Sequence, residues 1–146
     1  MKITNRRAFY DFQILERFEA GIRLTGAEVK SVRGERASLT GSFVKIIGGE
    51  AYLVNALIPP YEYARPADYD EKRTRKLLLH KAQLLTFKHK LASTSLTLVP
   101  LSIYIKKGLI KLEIGLAKGK KAYEKREALK KRDLERDLSQ ELKGKN

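Results

Sequence analysis

The alternation of apolar and polar residues ends near residue 117, and this boundary limits which part of the chain can build a core. The chain has 146 residues and a formal net charge of +14. Residues 1–117 contain 20 lysines and arginines against 11 aspartates and glutamates, whereas residues 118–146 contain 11 against 6 in a much shorter stretch. We therefore predict a folded domain over residues 1–117 and a separate basic tail over residues 118–146.

Short segments of the β type dominate the first part. Because glycine tolerates the positive φ of tight turns, Gly48 and Gly49 predict a hairpin between two of these segments. Pro100 cannot donate to a ladder, so the strand that contains it should be bulged or lie at an edge there. A turn at residues 106–108 precedes the last segment. The predicted strands cover residues 9–15, 43–47, 51–54, 76–79, 96–105 and 109–114.

Two helices are predicted beside these strands. The first covers residues 26–33, with Thr25 as its N-cap and Gly34 as its stop. The second covers residues 81–91, and one face of it should pack on the sheet through Leu84, Phe87, Lys88 and Leu91. Many short antiparallel strands with two to three flanking helices indicate a mainly β fold, a small closed antiparallel barrel.

The tail consists of good helix formers, but its basic residues fall all round a helical wheel. Leu134, Leu138 and Leu142 make one weak apolar stripe, and Leu129 points elsewhere. A helix that is polar on every side has little to bury and is marginal alone. We predict that the tail is disordered in the free protein and becomes helical on a partner.

A charge this positive predicts a polyanion as the partner. No long apolar run, lipidation signal or signal peptide indicates a membrane, and no cysteine is present, so we expect a cytosolic protein. The basic residues form three clusters, and the first is followed by the aromatic residues Phe9 and Tyr10. Cations beside aromatics suit RNA, whose phosphates meet the cations while unstacked bases lie on the rings. The clusters cover residues 5–7, 72–76 and 118–121.

Catalytic or metal-binding constellations are hard to assemble from this sequence. His80 and His89 are nine residues apart around a predicted helix, which is a poor metal spacing. Asp68, Asp70 and Glu71 are better explained as a solvated turn than as a metal site. Residues 115–121 are one residue too short between the glycines for a phosphate-binding loop, and a lysine stands where Ser or Thr must hold magnesium. We expect neither an enzyme nor a cofactor.

Seven segments together resemble the SsrA-binding protein (small protein B) family along nearly the whole chain. They are NRRA at 5–8, FEAGI at 18–22, LTGAEVKSVR at 24–33, GSF at 41–43, RTRKLLLHK at 73–81, LVPL at 98–101 and GLAKGKK at 115–121. The resemblance implies an oligonucleotide-binding-like barrel that binds the tRNA-like domain of transfer-messenger RNA. It also implies delivery of that RNA to stalled 70S ribosomes for trans-translation, by a protein we expect to be a monomer.

The resemblance also places RNA-contact residues in this sequence. Glu19 is the glutamate of the Glu-Ala-Gly element, and His80 stands where the family often has asparagine. An acidic group in a basic surface repels phosphate, so Glu19 is expected to accept hydrogen bonds from a base edge or to orient an arginine. The full predicted RNA-binding set, with members of the three basic clusters, is Asn5, Arg6, Tyr10, Glu19, Arg75, Lys76, Leu78, His80, Lys111, Lys118, Lys120 and Lys121.

In the tail, the family's Asp-Lys-Arg element reads Glu124, Lys125 and Arg126. The resemblance implies that it acts in the decoding region, and Tyr123 could stack there on a ribosomal RNA base. A tail without its own core could thread the vacant message channel and fold against RNA. The full predicted ribosome-binding set is Tyr123, Glu124, Lys125, Arg126, Lys130, Lys131 and Arg132.

Two alternative functions remain open from the sequence. A structural ribosomal protein is also basic and often carries an unfolded extension. An RNA-processing enzyme is disfavoured because no carboxylates or histidines cluster, but a sequence cannot place distant side chains together. Co-purification with resting ribosomes would favour the first, and a nuclease assay would detect the second.

Overall fold

The computed structural model describes residues 1–61, 68–93, 95–120, 125–127 and 129–136. Seven strands and three helices alternate irregularly along the folded part. The strands are β1 (Lys2–Thr4), β2 (Phe12–Ile22), β3 (Phe43–Ile47), β4 (Glu50–Val54), β5 (Arg75–Leu78), β6 (Leu96–Lys106) and β7 (Leu109–Gly119). The helices are α1 (Arg6–Asp11), α2 (Gly26–Arg33) and α3 (Lys81–Leu91).

The strands form one antiparallel sheet in the order β1-β6-β7-β2-β5-β4-β3. This confirms the mainly β antiparallel fold. The predicted closed barrel is not formed by hydrogen bonds, since no ladder joins β1 to β3 among the described residues. The two edges of the sheet are the short strands β1 and β3, and the long strands β6, β7 and β2 lie between them.

The inner face of the sheet carries the main core. Buried residues of every long strand meet Val32 of α2 and Phe87 of α3 there. The Phe87 ring packs edge-on against Phe18 of β2, with ring centroids 4.7 Å apart. Leu84 and Phe87 of α3 are buried as predicted, but Lys88 is exposed, because the ammonium group keeps its hydration at the margin of the packed face.

Helix α1 was not predicted, and it covers one end of the outer face. Residues 9–15 were expected to form a strand, whereas the structure has helix up to Asp11 and strand from Phe12. Asn5 caps the helix by accepting a hydrogen bond from the backbone N–H of Ala8. Ala8 packs in a second small core with Val99, Leu101 and Ala117. This tertiary burial overrides the β-type composition of the segment.

The predicted turns and caps are confirmed. Gly48 and Gly49 have φ values of 58° and 78° in the β3–β4 turn, and Lys107 and Gly108 turn β6 into β7 with φ values of 51° and 77°. Thr25 and Glu28 form a reciprocal capping box at the start of α2. The β6–β7 register shifts between Pro100 and Ser102, which is the predicted bulge.

The end of the domain lies slightly beyond the predicted boundary at 117. Strand β7 continues to Gly119, and the backbone N–H of Lys120 donates to the Asp11 carbonyl at 2.9 Å. The described residues of the tail, 125–127 and 129–136, are helical in the chain by itself, and the predicted disorder-to-helix change on a partner stays a prediction. Within the described ranges, no helix is long and apolar enough to cross a membrane.

Candidate RNA-binding surface

The register of four strands brings distant residues into one row on the outer face. Tyr104 of β6 lies opposite Lys111 of β7, which lies opposite Gly21 of β2, which in turn lies opposite Leu78 of β5. Glu19 of β2 lies opposite Glu113 of β7, two residues along the strands from the Gly21–Lys111 pair. These two glutamates form the next row of the same face. The surface formed by Arg17, Glu19, Tyr104, Lys106, Lys111 and Glu113 is called the Glu19 surface below.

A shallow groove opens beside this surface because Gly21 has no side chain. A Cβ atom at position 21 would meet the Leu78 Cβ at 3.2 Å. The groove holds about 330 Å³ and is lined by Leu78, Leu109 and Lys111, among others. Leu78 is 49% exposed and Leu109 is 61% exposed. This combination of an apolar floor and a lysine rim suits a base or ribose with an adjoining phosphate.

The carboxylate of Glu19 is held by its neighbours and stays ionised. Tyr104 donates its hydroxyl hydrogen bond to Oε2 of Glu19, and Lys106 Nζ lies 3.4 Å from the same oxygen. The hydrogen bond from Tyr104, followed by that from Lys106 and the charges of Lys106 and Lys111, outweighs desolvation and lowers the pKa of Glu19. In turn, burial and the Glu19 carboxylate raise the pKa of Tyr104 above its usual range. Glu19 is therefore an ionised hydrogen-bond acceptor whose orientation is restricted by Tyr104 and Lys106.

Arg17 connects the Glu19 surface to helix α1. Its Nη1 donates to Oε1 of Glu113 at 3.2 Å, and its guanidinium lies 5.4 Å from the centre of the Phe9 ring. Because both contacts are exposed, they contribute little to the free energy of unfolding, but they hold the guanidinium over the sheet. An arginine fixed in this way presents its remaining donors toward solvent.

A second basic area surrounds α1. Arg6 and Tyr10 line a groove of about 360 Å³ together with Phe9 and the tail residues Leu129, Arg132 and Arg136. Lys125 Nζ lies 3.3 Å from Oδ1 of Asp11 and 5.7 Å from the centre of the Tyr10 ring. Desolvation opposes the change, but the contacts with Arg7 and Lys125 lower the pKa of Asp11. The described tail helix is thus anchored to α1.

Two residues predicted to bind RNA make structural contacts inside the domain. The Asn5 side chain is buried and donates to the Pro100 carbonyl at 2.8 Å while it caps α1. Arg75 is fully buried, and its donors reach Glu28 Oε2 at 2.7 Å and the carbonyls of Ala56 and Glu71 at 2.9 and 3.1 Å. Asn5 is 4% exposed and Arg75 is fully buried, so these contacts serve the fold, and the RNA-binding role of the two residues stays a prediction.

The partner of Arg75, Glu28, organises a buried ionic cluster under α2. Its Oε1 accepts from Thr25 N–H at 3.0 Å and from Arg73, and its Oε2 accepts from Arg75 and, at 3.3 Å, from the Tyr69 hydroxyl. Burial by itself would raise the pKa of Glu28, but the hydrogen bonds from Arg73, Thr25 and Arg75 outweigh it and lower the pKa. The cluster fixes the segment before β5, and so the strand that carries Leu78.

The other predicted residues are distributed as follows. Lys76 lies on the outer face of β5, with Nζ 3.9 Å from Glu50 Oε2. His80 is exposed at the start of α3, two residues beyond Leu78. Lys120 Nζ donates to the Phe9 carbonyl at 2.9 Å, so part of its role is to hold α1. Exposed positions are occupied by Lys118, Arg126, Lys130, Lys131 and Arg132. Lys121, Tyr123 and Glu124 lie outside the described residues.

Sequence reasoning missed Arg17, Gly21, Tyr104, Lys106 and Glu113. The available signal was the alternation in residues 102–106, where Ser102, Tyr104 and Lys106 separate Ile103 and Ile105. That pattern predicts an outward polar face, but not which strands lie beside it. In the described part of the chain, no group of three or more His, Asp or Glu side chains is positioned to hold a metal ion.

These features define a class: a small antiparallel β protein with a bare, mixed-charge outer surface beside a cationic helix. The family model described as SmpB protein matches residues 2–144. The chain belongs to the SmpB family.

Curated relatives agree over nearly the full length. The chain is 51% identical over 142 residues to the SsrA-binding protein of Sulfurihydrogenibium sp. (strain YO3AOP1), covering 97% of this chain and 93% of the relative. It is 49% identical over 139 residues to the SsrA-binding protein of Streptococcus pyogenes serotype M5 (strain Manfredo), covering 95% and 90%. A solved structure described as "tmRNA-SmpB: a journey to the center of the bacterial ribosome" matches with TM-score 0.69 and 50% identity, covering 83% of this chain and 85% of that chain.

Proposed function

We propose that this chain binds the tRNA-like domain of transfer-messenger RNA through the Glu19 surface and delivers it to stalled ribosomes. There, incomplete proteins would be tagged and the ribosome released. The observation that carries the proposal is the cross-strand row of Tyr104, Lys111, Gly21 and Leu78 beside Glu19. Family membership and the relatives' printed names support the same RNA and the ribosome as partners.

The chemistry of the surface fits a folded RNA better than a uniform polyanion. Lysines around the groove attract phosphates and release counterions, which gives affinity for any RNA. The glycine-opened groove and the fixed Glu19 acceptor instead favour one nucleotide arrangement, because base edges and riboses differ in their donors. The shape of the groove and the Glu19 acceptor would therefore supply specificity for one RNA, and the lysines would supply affinity.

We also propose a division of labour between residues 1–120 and the remaining tail. The tail would be disordered in the free protein and would fold as a helix in the decoding region and vacant message channel. The support is that the described tail helix meets α1 through contacts of partly exposed side chains, among them Lys125 with Asp11 and Tyr10. Such contacts are weak enough to exchange for ribosomal RNA.

The remaining expectations belong to the same proposal. The Glu19 surface would recognise RNA and would not catalyse a reaction. A ribosomal partner would place the protein in the cytoplasm. We also propose that it acts as a monomer. The sheet would act as an oligonucleotide-binding-type barrel, since β3, at one end of the hydrogen-bonded order, packs near β6. This curvature gives the outer face the convex form that such barrels present.

The test is a binding titration of the tRNA-like domain with wild type and Glu19→Ala. Removing a negative charge from a basic surface should strengthen RNA binding by electrostatics alone. If Glu19 accepts from a base edge, the variant should instead bind about tenfold more weakly, within the roughly 1–3 kcal/mol of a good base contact.

Glu16→Ala is the matched control, because it removes the same charge from the same strand. Glu16 is exposed and pairs with Lys90 rather than with the Glu19 surface. This control should bind the RNA as well as wild type or slightly better. If Glu19→Ala and Glu16→Ala changed the affinity for the tRNA-like domain equally, Glu19 would make no specific contact with the RNA.

A further inference from the structure

A second groove lies between α3 and the β3–β4 hairpin, apart from the Glu19 surface. It holds about 870 Å³, more than twice the volume of the groove at Leu78. Its floor is formed by the core residues Val44 and Leu84, with Leu91 and the exposed Leu85 on the helix side. The two grooves share no lining residue, so the second one can be occupied while RNA covers the first.

Helix α3 presents an unpartnered apolar stripe toward this groove. Leu84 and Phe87 turn into the core, whereas Leu85 is 58% exposed and Ala92 follows it two turns later. Burial of the exposed part of Leu85 by a partner would add favourable free energy to binding. A stripe with this spacing on a helix matches the apolar face of a second amphipathic helix.

The rim of the groove is cationic and unpaired. Lys45, Lys81 and Lys88 surround the floor, and among the described residues none of the three has an ion-pair partner. The only acid in the lining, Glu50, already faces Lys76 at 3.9 Å. Charge complementarity therefore selects an acidic occupant.

The occupant is better matched by a protein than by RNA. Among the described residues, the lining contains neither an aromatic ring on which a base could stack nor an arginine fork for a phosphate. It offers instead aliphatic carbon flanked by lysines. We propose that this groove docks an acidic amphipathic helix of a protein partner, with leucine-type side chains on Leu85 and Leu91 and carboxylates on Lys81 and Lys88.

The experiment uses the full chain and a labelled synthetic helical peptide of about 15 residues, with leucines at i, i+3 and i+7 and glutamates beside them. Fluorescence anisotropy should show saturable binding, and NMR amide shifts should map it to α3 and the β3–β4 hairpin. A scrambled peptide of the same composition should bind at least tenfold more weakly. Equal binding of the scrambled peptide, or shifts located elsewhere, would overturn the proposal.

Two substitutions separate this groove from the RNA surface. Leu85→Glu should weaken peptide binding at least tenfold and leave binding of the tRNA-like domain unchanged. Leu109→Glu, in the groove at Leu78, should weaken binding of the tRNA-like domain and leave peptide binding unchanged. Failure of the RNA proposal and failure of the peptide proposal therefore give different results. Loss of RNA binding in Leu85→Glu would show that RNA occupies the second groove and would overturn the protein partner.

The lysines are tested by reversing charge at two sites. Lys81→Glu combined with Lys88→Glu should reduce peptide binding at least tenfold. Lys2→Glu combined with Lys72→Glu changes the net charge equally at exposed positions elsewhere and should reduce it less than threefold. Equal reductions would mean that only net charge matters, and the groove would not be the docking site.

Discussion

At the scale of single residues, the carboxylate of Glu19 occupies a position where a basic side chain would attract RNA more strongly. Glu19 is surrounded by Arg17, Lys106 and Lys111, and Tyr104 restricts its orientation through a hydrogen bond. A negative charge at this place reduces attraction for phosphates, so it is useful only if it reads a donor of the RNA. Under the proposed function, Tyr104 would be a positioning residue, because it would act on the RNA through Glu19.

Tyr104→Phe tests this positioning. The variant keeps the ring and loses only the hydroxyl, so the fold should be retained while Glu19 gains rotamer freedom. We expect binding of the tRNA-like domain to weaken about fivefold, which corresponds to roughly 1 kcal/mol for one hydrogen bond. The measurement is fluorescence anisotropy, with thermal unfolding as a check on the fold.

Tyr52→Phe is the control, since Tyr52 also lies on the outer face, opposite Lys76, but at a distance of two strands from Glu19. It should leave RNA binding unchanged. If Tyr104→Phe bound as wild type does, Glu19 would need no help from the hydroxyl.

Glu28 should make stability depend on acid pH. Its pKa is lowered in the folded chain, because hydrogen bonds from Arg73, Thr25 and Arg75 outweigh desolvation, whereas in the unfolded chain it lies near 4.5. The stabilisation is therefore fully present above about pH 4.5 and is lost as pH falls through the lower folded pKa. Urea unfolding at pH 7, 4 and 3 should show the free energy of unfolding falling more steeply in wild type than in Glu28→Gln.

At pH 7 the neutral variant should itself be less stable by about 3 kcal/mol, because Arg75 is left buried without its counter-charge. Glu35→Gln, an exposed carboxyl without an ion pair among the described residues, is expected to follow the wild-type curve. Parallel curves for wild type and Glu28→Gln would show that the buried cluster does not respond to acid.

At the scale of elements, the long strands β6 and β7 serve two cores on opposite faces. The register shifts at Pro100/Ser102 in β6 and at Ile14/Glu16 in β2 separate the end covered by α1 from the bare Glu19 surface. Gly115 of β7 lies at the covered end, under Leu101. Because Gly115 has no side chain, the Leu101 side chain of β6 can lie directly over β7. Ala8 of α1 packs closely with Leu101 on this face.

Gly115→Ala should destabilise the fold by overpacking. An added Cβ would lie 3.0 Å from Leu101 Cδ1, and Leu101 is fully buried, so the neighbour has little room to move. We expect a loss of about 1–3 kcal/mol in the free energy of unfolding, measured by urea denaturation.

Gly119→Ala is a control on the same strand, since a Cβ at that position meets nothing within 4 Å. It should change stability by less than about 0.5 kcal/mol. Equal stability of the two variants would mean that Leu101 repacks freely, and α1 would not depend on this close approach.

At the scale of the whole molecule, the basic charge is divided between a folded domain and a tail. Strand β7 ends at Gly119, and the next residue, Lys120, still donates its backbone N–H to the Asp11 carbonyl. The folded domain ends at this point. Beyond this point the described tail touches the domain through α1. The two parts are thus joined by contacts that can be exchanged, which suits binding of two different RNAs.

A chain ending at Lys120 should separate the two activities. Binding of the tRNA-like domain should stay within about threefold of wild type, because the Glu19 surface is complete and surface cations lost with the tail act mainly through screened, long-range attraction. Peptide tagging in a translation reaction with a stop-less message should be abolished. If binding and tagging fell in proportion, the proposed division of labour would be wrong.

Local signals in the sequence were sufficient for several elements. The Thr25 cap, the Gly48–Gly49 hairpin and the bulge at Pro100 follow from backbone chemistry of a few neighbouring residues, and all three are confirmed. Helix α1 was not predicted, because its aromatic composition favours a strand, whereas the Asn5 cap and the burial of Ala8 against β6 and β7 together favour a helix.

The sequence by itself determined the strand-rich domain, the basic character and, through its motifs, the family and the choice of Glu19, Leu78 and Lys111. Only the tertiary structure decided that strand register aligns Leu78, Gly21, Lys111 and Tyr104, because pairing depends on residues far apart in the chain. It also decided that Arg75 is buried in the core, since a cation's burial depends on a counter-charge, Glu28, that lies far away along the chain.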